Sequence, residues 1–199
     1  NFFTLTLFFY FIYFYMFKIF FIFILYFFYS NFSYAENNII NLVQFKKASY
    51  GKIIFVRHAL APGNGDPINF KIDDCSTQRN LNKEGKNQAL LLGKILRKNG
   101  IFFETVYSSL WCRCLQTSKY MDVGKAMPHK GLNSFYENIV DKQETLISLN
   151  NLILNINHSS KPILMVTHYV VIQAMTGLSV SSGEMVVYDI KTKQSKYLK

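Results

Sequence analysis

Arg57 and His58 stand side by side at the end of a run of strand-formers, Ile53-Ile54-Phe55-Val56. A guanidinium and an imidazole have no packing use in that place. A second apolar run, Pro162 to Val166, stops in the same way at Thr167-His168. Between them lies Ser108-Ser109, with Arg113 about one helical turn further on. Each feature is common alone: a lone histidine is usually a satisfied rim residue and a lone arginine a surface one. Together they suit a phosphoryl group. Guanidinium groups bind phosphate oxygens in pairs. A neutral imidazole can attack phosphorus and form a covalent phosphohistidine, and neighbouring cations keep it neutral by like-charge repulsion. A second imidazole can donate to the charge that develops. The leaving alkoxide then needs an acid close by.

Such groups act together only if the chain brings them to one place. Lys52–Val56 is a short apolar run rich in β-branched residues, which predicts a buried parallel strand. A loop rich in Gly, Pro, Asn and Asp follows, from Ala59 to about Asn82. Lys83 to Lys98 has helical spacing, with Asn82 as N-cap and Asn99-Gly100 as stop. Further strands are predicted at Thr105–Tyr107, Pro162–Val166 and Met185–Ile190, and further helices at Leu110–Met121, Thr145–Asn157 and Val170–Met175. Strands alternating with helices predict an α/β chain: a three-layer α/β/α sandwich around a mainly parallel sheet. In such sheets ligands bind beyond the carboxyl ends of the strands, which is where Arg57, His58, Ser109, Arg113 and His168 would meet.

The chain has 199 residues, enough for one domain. Its first 35 residues hold 19 of the 33 aromatics and a single charge, Lys18. Read from Met16, Lys18 supplies a positive start, Ile19 to Tyr29 an apolar stretch, and Ser33-Tyr34-Ala35 the small residues of a cleavage site. Residues 16–35 are therefore expected to be a signal peptide, with an uncleaved membrane anchor as the alternative, and residues 1–15 to be upstream translation. Residues 36–50 are expected to be a lead-in segment and 51–199 the domain. Either version of the leader places the domain outside the cytoplasm, periplasmic or secreted, with membrane contact only through the leader. Without residues 1–35 the chain carries 21 basic and 12 acidic residues, a net charge of +9. That favours anionic partners, but the basic residues are scattered and form no dense patch, so no nucleic-acid partner is expected. Of three cysteines, Cys112 and Cys114 are too close for an easy bridge, which leaves Cys75 with one or the other. No metal-ligand spacing is present.

Four segments, FVRHALAPG (55–63), QRNLNKEGKNQA (78–89), YSSLWCRCLQTS (107–118) and MVTHYVVIQAMTG (165–177), resemble in order and spacing the motifs of the histidine phosphatase, or phosphoglycerate-mutase-like, superfamily. The resemblance runs from about Lys52 to Ile190. It implies that fold and a phosphomonoesterase with His58 as phosphorylated nucleophile, which the leader read above would make an exported one. Arg57, Arg113 and His168 would complete the phosphate pocket, and Gln78, Arg79 and Asn80 would line its entrance. No metal or other cofactor is implied. Ala59 stands where the family has glycine and Ser118 where it has alanine. GLNSFYEN (131–138) matches the stretch that supplies the acid in many members, which makes Glu137 the acid, with Asp66, Asp73 and Asp74 as rivals. DDCSTQRNL, SSLWCRCLQT and LNSFY further resemble the lipopolysaccharide core heptose phosphate phosphatases. That subgroup implies a phosphorylated small molecule, a phosphosugar or an envelope glycolipid as substrate. The alternative is a non-catalytic phosphate-binding module on the same fold.

Overall fold

The computed structural model describes residues 13–27, 38–157 and 161–199. The chain forms two compact units, Asn1–Ile39 and Ile40–Lys199. In the first, residues 13–27 form a helix, α1. Residues 1–12 and the expected cleavage site at Ser33-Tyr34-Ala35 lie outside the described residues. No helix among the described residues is long and apolar enough to cross a membrane.

The second unit begins earlier than expected. Part of the segment read as a lead-in belongs to it: Ile40, the second residue of strand β1 (Ile39–Ile40), and helix α2 (Leu42–Lys47). The Asn41 side chain accepts from the Gln44 N–H while the Gln44 side chain accepts from the Asn41 N–H, a reciprocal cap that starts α2. Phe45, fully buried, anchors the helix to the core. A six-residue helix shows too little periodicity to be read from its sequence.

One seven-stranded sheet organises the rest, in the order β1-β7-β6-β2-β5-β3-β4. Four neighbouring strands, β2 (Lys52–Arg57), β5 (Ile163–Thr167), β3 (Val106–Ser108) and, at the edge, β4 (Ala126–Pro128), are all parallel. β6 (Met185–Asp189) runs antiparallel to β2, and β7 (Ser195–Leu198) antiparallel to β6. Along β2 the side chains alternate between two cores. Ile54 and Val56 join a cluster with α3 (Lys83–Lys98) and α4 (Cys112–Met121), while Ile53 and Phe55 join one with α5 (Lys142–Leu154) and α6 (Tyr169–Thr176). Both faces of the strand are therefore covered, which is why its apolar run is unbroken. Each of these fully buried side chains contributes about 1.5–3 kcal/mol and fixes where the strand ends. The register pairs Arg57 with Thr167 and Ser108 with Val166, so the three strands end level with one another.

Candidate active site

The level strand ends open into a cavity of about 260 Å³. Arg57, His58, Arg79, Arg113 and His168 line it, with Gly63, Asn64, Gly65, Ser134, Tyr136 and Tyr169. The structure thus brings together five of the residues singled out in the sequence. His58 and His168 are both buried, their rings 5.3 Å apart and edge to face.

His58 is held in one tautomer. Its Nδ1 lies 2.9 Å from the Ala59 carbonyl, which can only accept, so Nδ1 carries the proton and the Nε2 lone pair is free. Burial, reinforced by the charge of Arg113, pushes the His58 pKa down to about 3. The ring is therefore neutral at ordinary pH. The backbone after it is locked by α4: Ala59 N–H donates to the Thr117 hydroxyl, which itself donates to the Arg113 carbonyl. Ala59 is absent from the positive-φ residues, so its side chain carries no backbone strain where the family has glycine.

His168 sits in a second network. Ser109 Oγ donates to Asn133 Oδ1 and accepts from the Trp111 N–H, so the 3.0 Å contact to His168 Nε2 is a donation from the ring. His168 Nδ1 then faces Arg113 Nη2 at 3.5 Å as an acceptor. Burial and the Arg113 charge hold the ring neutral. The expected donation to a phosphoryl group needs a proton on Nδ1, which a bound dianion would favour. Cys114, near His168, is a free, buried thiol pushed up to about 12 by burial, and so unsuited to nucleophilic work.

The arginines carry the positive charge of the cavity. Arg57 Nη1 donates to the Val180 carbonyl at 2.8 Å and the guanidinium lies over the Tyr169 ring. Arg113 forms a buried two-point ion pair with Asp66, at 2.6 and 3.1 Å. In both residues Nε is buried without a partner, and only one other buried side-chain nitrogen or oxygen among the described residues, Ser195 Oγ, shares that condition. Orphaned buried donors cost stability unless something binds them. Helix ends point the same way. α2, α3 and α5 have side-chain caps at Asn41, Asn82 and Asp141. α4 and α6, which start at the site from Trp111 and His168, have no cap from those residues; the first N–H of α4, at Cys112, is taken by Gln78 Oε1, whereas α6 keeps the positive end of its dipole toward the cavity.

Other expected site residues lie elsewhere. Gln78 and Asn80 do not line the cavity. Gln78 Nε2 donates to the Lys71 and Ile72 carbonyls and its Oε1 accepts from the Cys112 N–H. Asn80 Nδ2 donates to the Cys75 and Gln78 carbonyls. Both spend their hydrogen bonds holding the loop. Arg79 alone of the three reaches the cavity, and its donors also tie the carbonyls of Ala61, Gly63 and Gly65. Cys75 is bridged to Cys112, with Cα atoms 5.6 Å apart.

Glu137 is exposed at the rim and is not part of the cavity wall. Its backbone is left-handed, φ 61°, as is that of Asn138, a conformation that costs about 1 kcal/mol or more for a residue such as Glu. The carboxylate rests over Gly65, where an added Cβ would lie 2.6 Å from both oxygens. Asp66 is no acid. Burial opposes its charge, but the hydrogen bonds and charge of Arg113 outweigh burial and hold its pKa below the usual value. Asp74 caps the turn Cys75–Thr77. Sequence reading missed Asn133, Tyr136 and Tyr169. All three lie in quoted motif segments, Asn133 and Tyr136 in GLNSFYEN and Tyr169 in MVTHYVVIQAMTG, but nothing in their residue types marked a role.

No family model matches the sequence, and no curated protein matches it. Solved structures do. The protein histidine phosphatase SixA, complexed with tungstate, is 16% identical with a TM-score of 0.52, over 73% of this chain and 93% of that one. The phosphoserine phosphatase from Entamoeba histolytica, in complex with 3-phosphoglyceric acid, is 16% identical with a TM-score of 0.51, over 73% and 94%. The fold is that of the histidine phosphatases, the phosphoglycerate-mutase-like class of α/β sandwich.

Proposed function

We propose that this protein is a phosphatase that hydrolyses phosphomonoesters through a phosphohistidine at His58. One observation carries the reading: the free Nε2 of a neutral, tautomer-locked histidine shares a cavity with two guanidinium groups whose buried Nε donors lack partners. A phosphoryl dianion supplies the missing acceptors. His58 Nε2 then attacks phosphorus as the ester bond breaks, and the leaving oxygen takes a proton from an acid at the rim, the role given to Glu137. Water displaces the phosphoryl group from Nε2 in the second half and restores the free imidazole. The tungstate bound by the SixA structure is a phosphate-like oxyanion, which suits this assignment.

The substrate proposed is a phosphosugar or glycolipid phosphate. Tyr136 and Tyr169, 5.9 Å apart, stand with Asn64 and Ser134 in the cavity wall, a mixture of flat apolar faces and hydrogen-bonding groups that suits a sugar ring. Export to the periplasm or beyond is proposed with it, on the pattern of residues 16–35 and on the Cys75–Cys112 disulfide. The position of Glu137 outside the cavity wall favours a second reading, a phosphate-binding module without turnover.

Hydrolysis of an aryl phosphate by the purified protein, with and without chelator, separates the two. Chelator-resistant turnover that falls by 10³-fold or more in His58→Ala, on the order expected when a nucleophile is removed, supports the phosphatase. Oxyanion binding without turnover of aryl or sugar phosphates leaves the binding module.

A further inference from the structure

Asp66 is a buried carboxylate set against the arginine that the phosphoryl group needs. It faces three side-chain donors. Oδ1 accepts from Arg113 Nη1 at 2.6 Å, and Oδ2 accepts from Arg113 Nη2 at 3.1 Å and from Trp111 Nε1 at 2.9 Å. Two glycines with positive φ, Gly63 and Gly65, shape the turn that delivers it. A carboxylate so close to an anion site would repel the anion unless its contribution through Arg113 were larger. The geometry shows how it can be. The pair uses the Nη1/Nη2 end of the guanidinium, while Nη2 also faces His168 Nδ1 at 3.5 Å and the buried Nε has no partner. Nε and the second hydrogen of Nη2 share one edge of the guanidinium plane. That edge is the one turned toward the histidines.

We infer that Asp66 is a positioning residue: it grips Arg113 by its far end and presents the Nε/Nη2 edge to the phosphoryl group. Trp111, held by the same carboxylate, packs its ring edge to face with His168 at 5.5 Å, so one side chain orients both neighbours of the second histidine. Asp66 also sets the charge of the pocket. Arg57, Arg79 and Arg113 less Asp66 leave two positive charges beside neutral histidines, the complement of a phosphomonoester dianion. The inference rests on the reading that the cavity takes a phosphoryl group.

The test is calorimetric titration of the full chain with tungstate, beside turnover of an aryl phosphate, for wild type, Asp66→Asn, Arg113→Lys and the double variant. Asp66→Asn should weaken tungstate about 10- to 100-fold, the range for a charged hydrogen-bond partner lost from a buried site, and lower kcat as well. In the Arg113→Lys background the same change should cost less than about 2-fold, because the two residues act as one unit. A merely structural aspartate would cost the same in both backgrounds, and that outcome overturns the inference. So does an Asp66→Asn protein that binds tungstate as well as wild type or better, which would make Asp66 a competitor for Arg113. Wild-type binding without turnover defeats the phosphatase reading alone, and the binding comparison still decides the role of Asp66. Wild type that binds no tungstate overturns both.

Discussion

At the scale of single residues, the reactivity of His58 depends on what surrounds it. Burial removes the water that would stabilise an imidazolium, and the nearby guanidinium groups oppose it further. The consequence for stability has a definite sign. The unfolded chain binds a proton at His58 near pH 6.5, whereas the folded chain resists one until about pH 3. Stability therefore rises with pH across that window and is lost as pH falls through it. His58 alone should make the protein about 2 kcal/mol less stable at pH 5 than at pH 7, and His168 acts in the same direction. Urea unfolding at the two pH values checks the loss, and proton NMR checks its cause. The ring resonances of His58 and His168 should hold their shifts from pH 7 to 5. Titration of either near pH 6.5 would show a site more open to water than this one. Arg57, His58 and His168 were legible in the sequence because strands rarely end on such groups, and Arg113 because it follows the Ser108-Ser109 strand end by about one helical turn. Asp66 was legible only as one carboxylate among several. Its contact with Arg113 spans 47 residues of chain and depends on a turn whose path no local pattern records.

At the scale of elements, α3 holds the site from behind. Gly85 and Gly93 lie on its buried face. A Cβ on Gly85 would overlap the Leu60 carbonyl, next to the locked Ala59, and one on Gly93 would overlap the Met121 carbonyl at the end of α4. Glycine to alanine inside a helix ordinarily stabilises by about 0.5–1 kcal/mol. Here the sign should reverse, with each change costing about 1–3 kcal/mol through overpacking. The two should differ in effect on the site. Gly85→Ala should lower kcat and tungstate affinity by displacing the backbone after His58, whereas Gly93→Ala should lower only the melting temperature. Equal activity losses at equal stability would refute the separate role of Gly85. The same helix was read correctly from Lys83 to Lys98 because it is long, capped at Asn82 and amphipathic. Of the shorter elements, β3 was read one residue early, as Thr105–Tyr107, but β4 and β7 were not read. β4, at the sheet edge, contains only Ala126, Met127 and Pro128, and β7, Ser195–Leu198, is a mostly polar strand between β1 and β6. Both owe their existence to an exposed neighbour strand with hydrogen bonds to offer, which is a property of the sheet and not of their own residues.

At the scale of the whole molecule, the loop from Ala59 to Asn82 is long and has little regular structure, yet it supplies Asp66, Arg79 and part of the cavity wall. Such a loop keeps one shape only if it is tied down. Arg79 ties its first half through three carbonyls, and Gln78 ties its second half to the start of α4. The Cys75–Cys112 bridge closes the remaining freedom over a separation of 37 residues. For a loop of that length, chain entropy alone predicts about 4 kcal/mol, a large share of the roughly 5–15 kcal/mol that keeps a domain folded. Cys112 adjoins Arg113, so the bridge also bears on the site. Replacing both cysteines by serine should lower the urea unfolding free energy by about 2–4 kcal/mol and weaken tungstate binding, with the larger relative effect on stability. Reduction of the native protein by a thiol should do the same, since Cys75 is exposed to it. If neither treatment moved the unfolding midpoint, the hydrogen bonds of Gln78 and Arg79 would be sufficient to hold the loop. The molecule would then have no need of an oxidising compartment, and the disulfide would no longer support export. A full loss on reduction would instead mean that this cavity keeps its shape only where thiols are oxidised, which ties the proposed site to the proposed location.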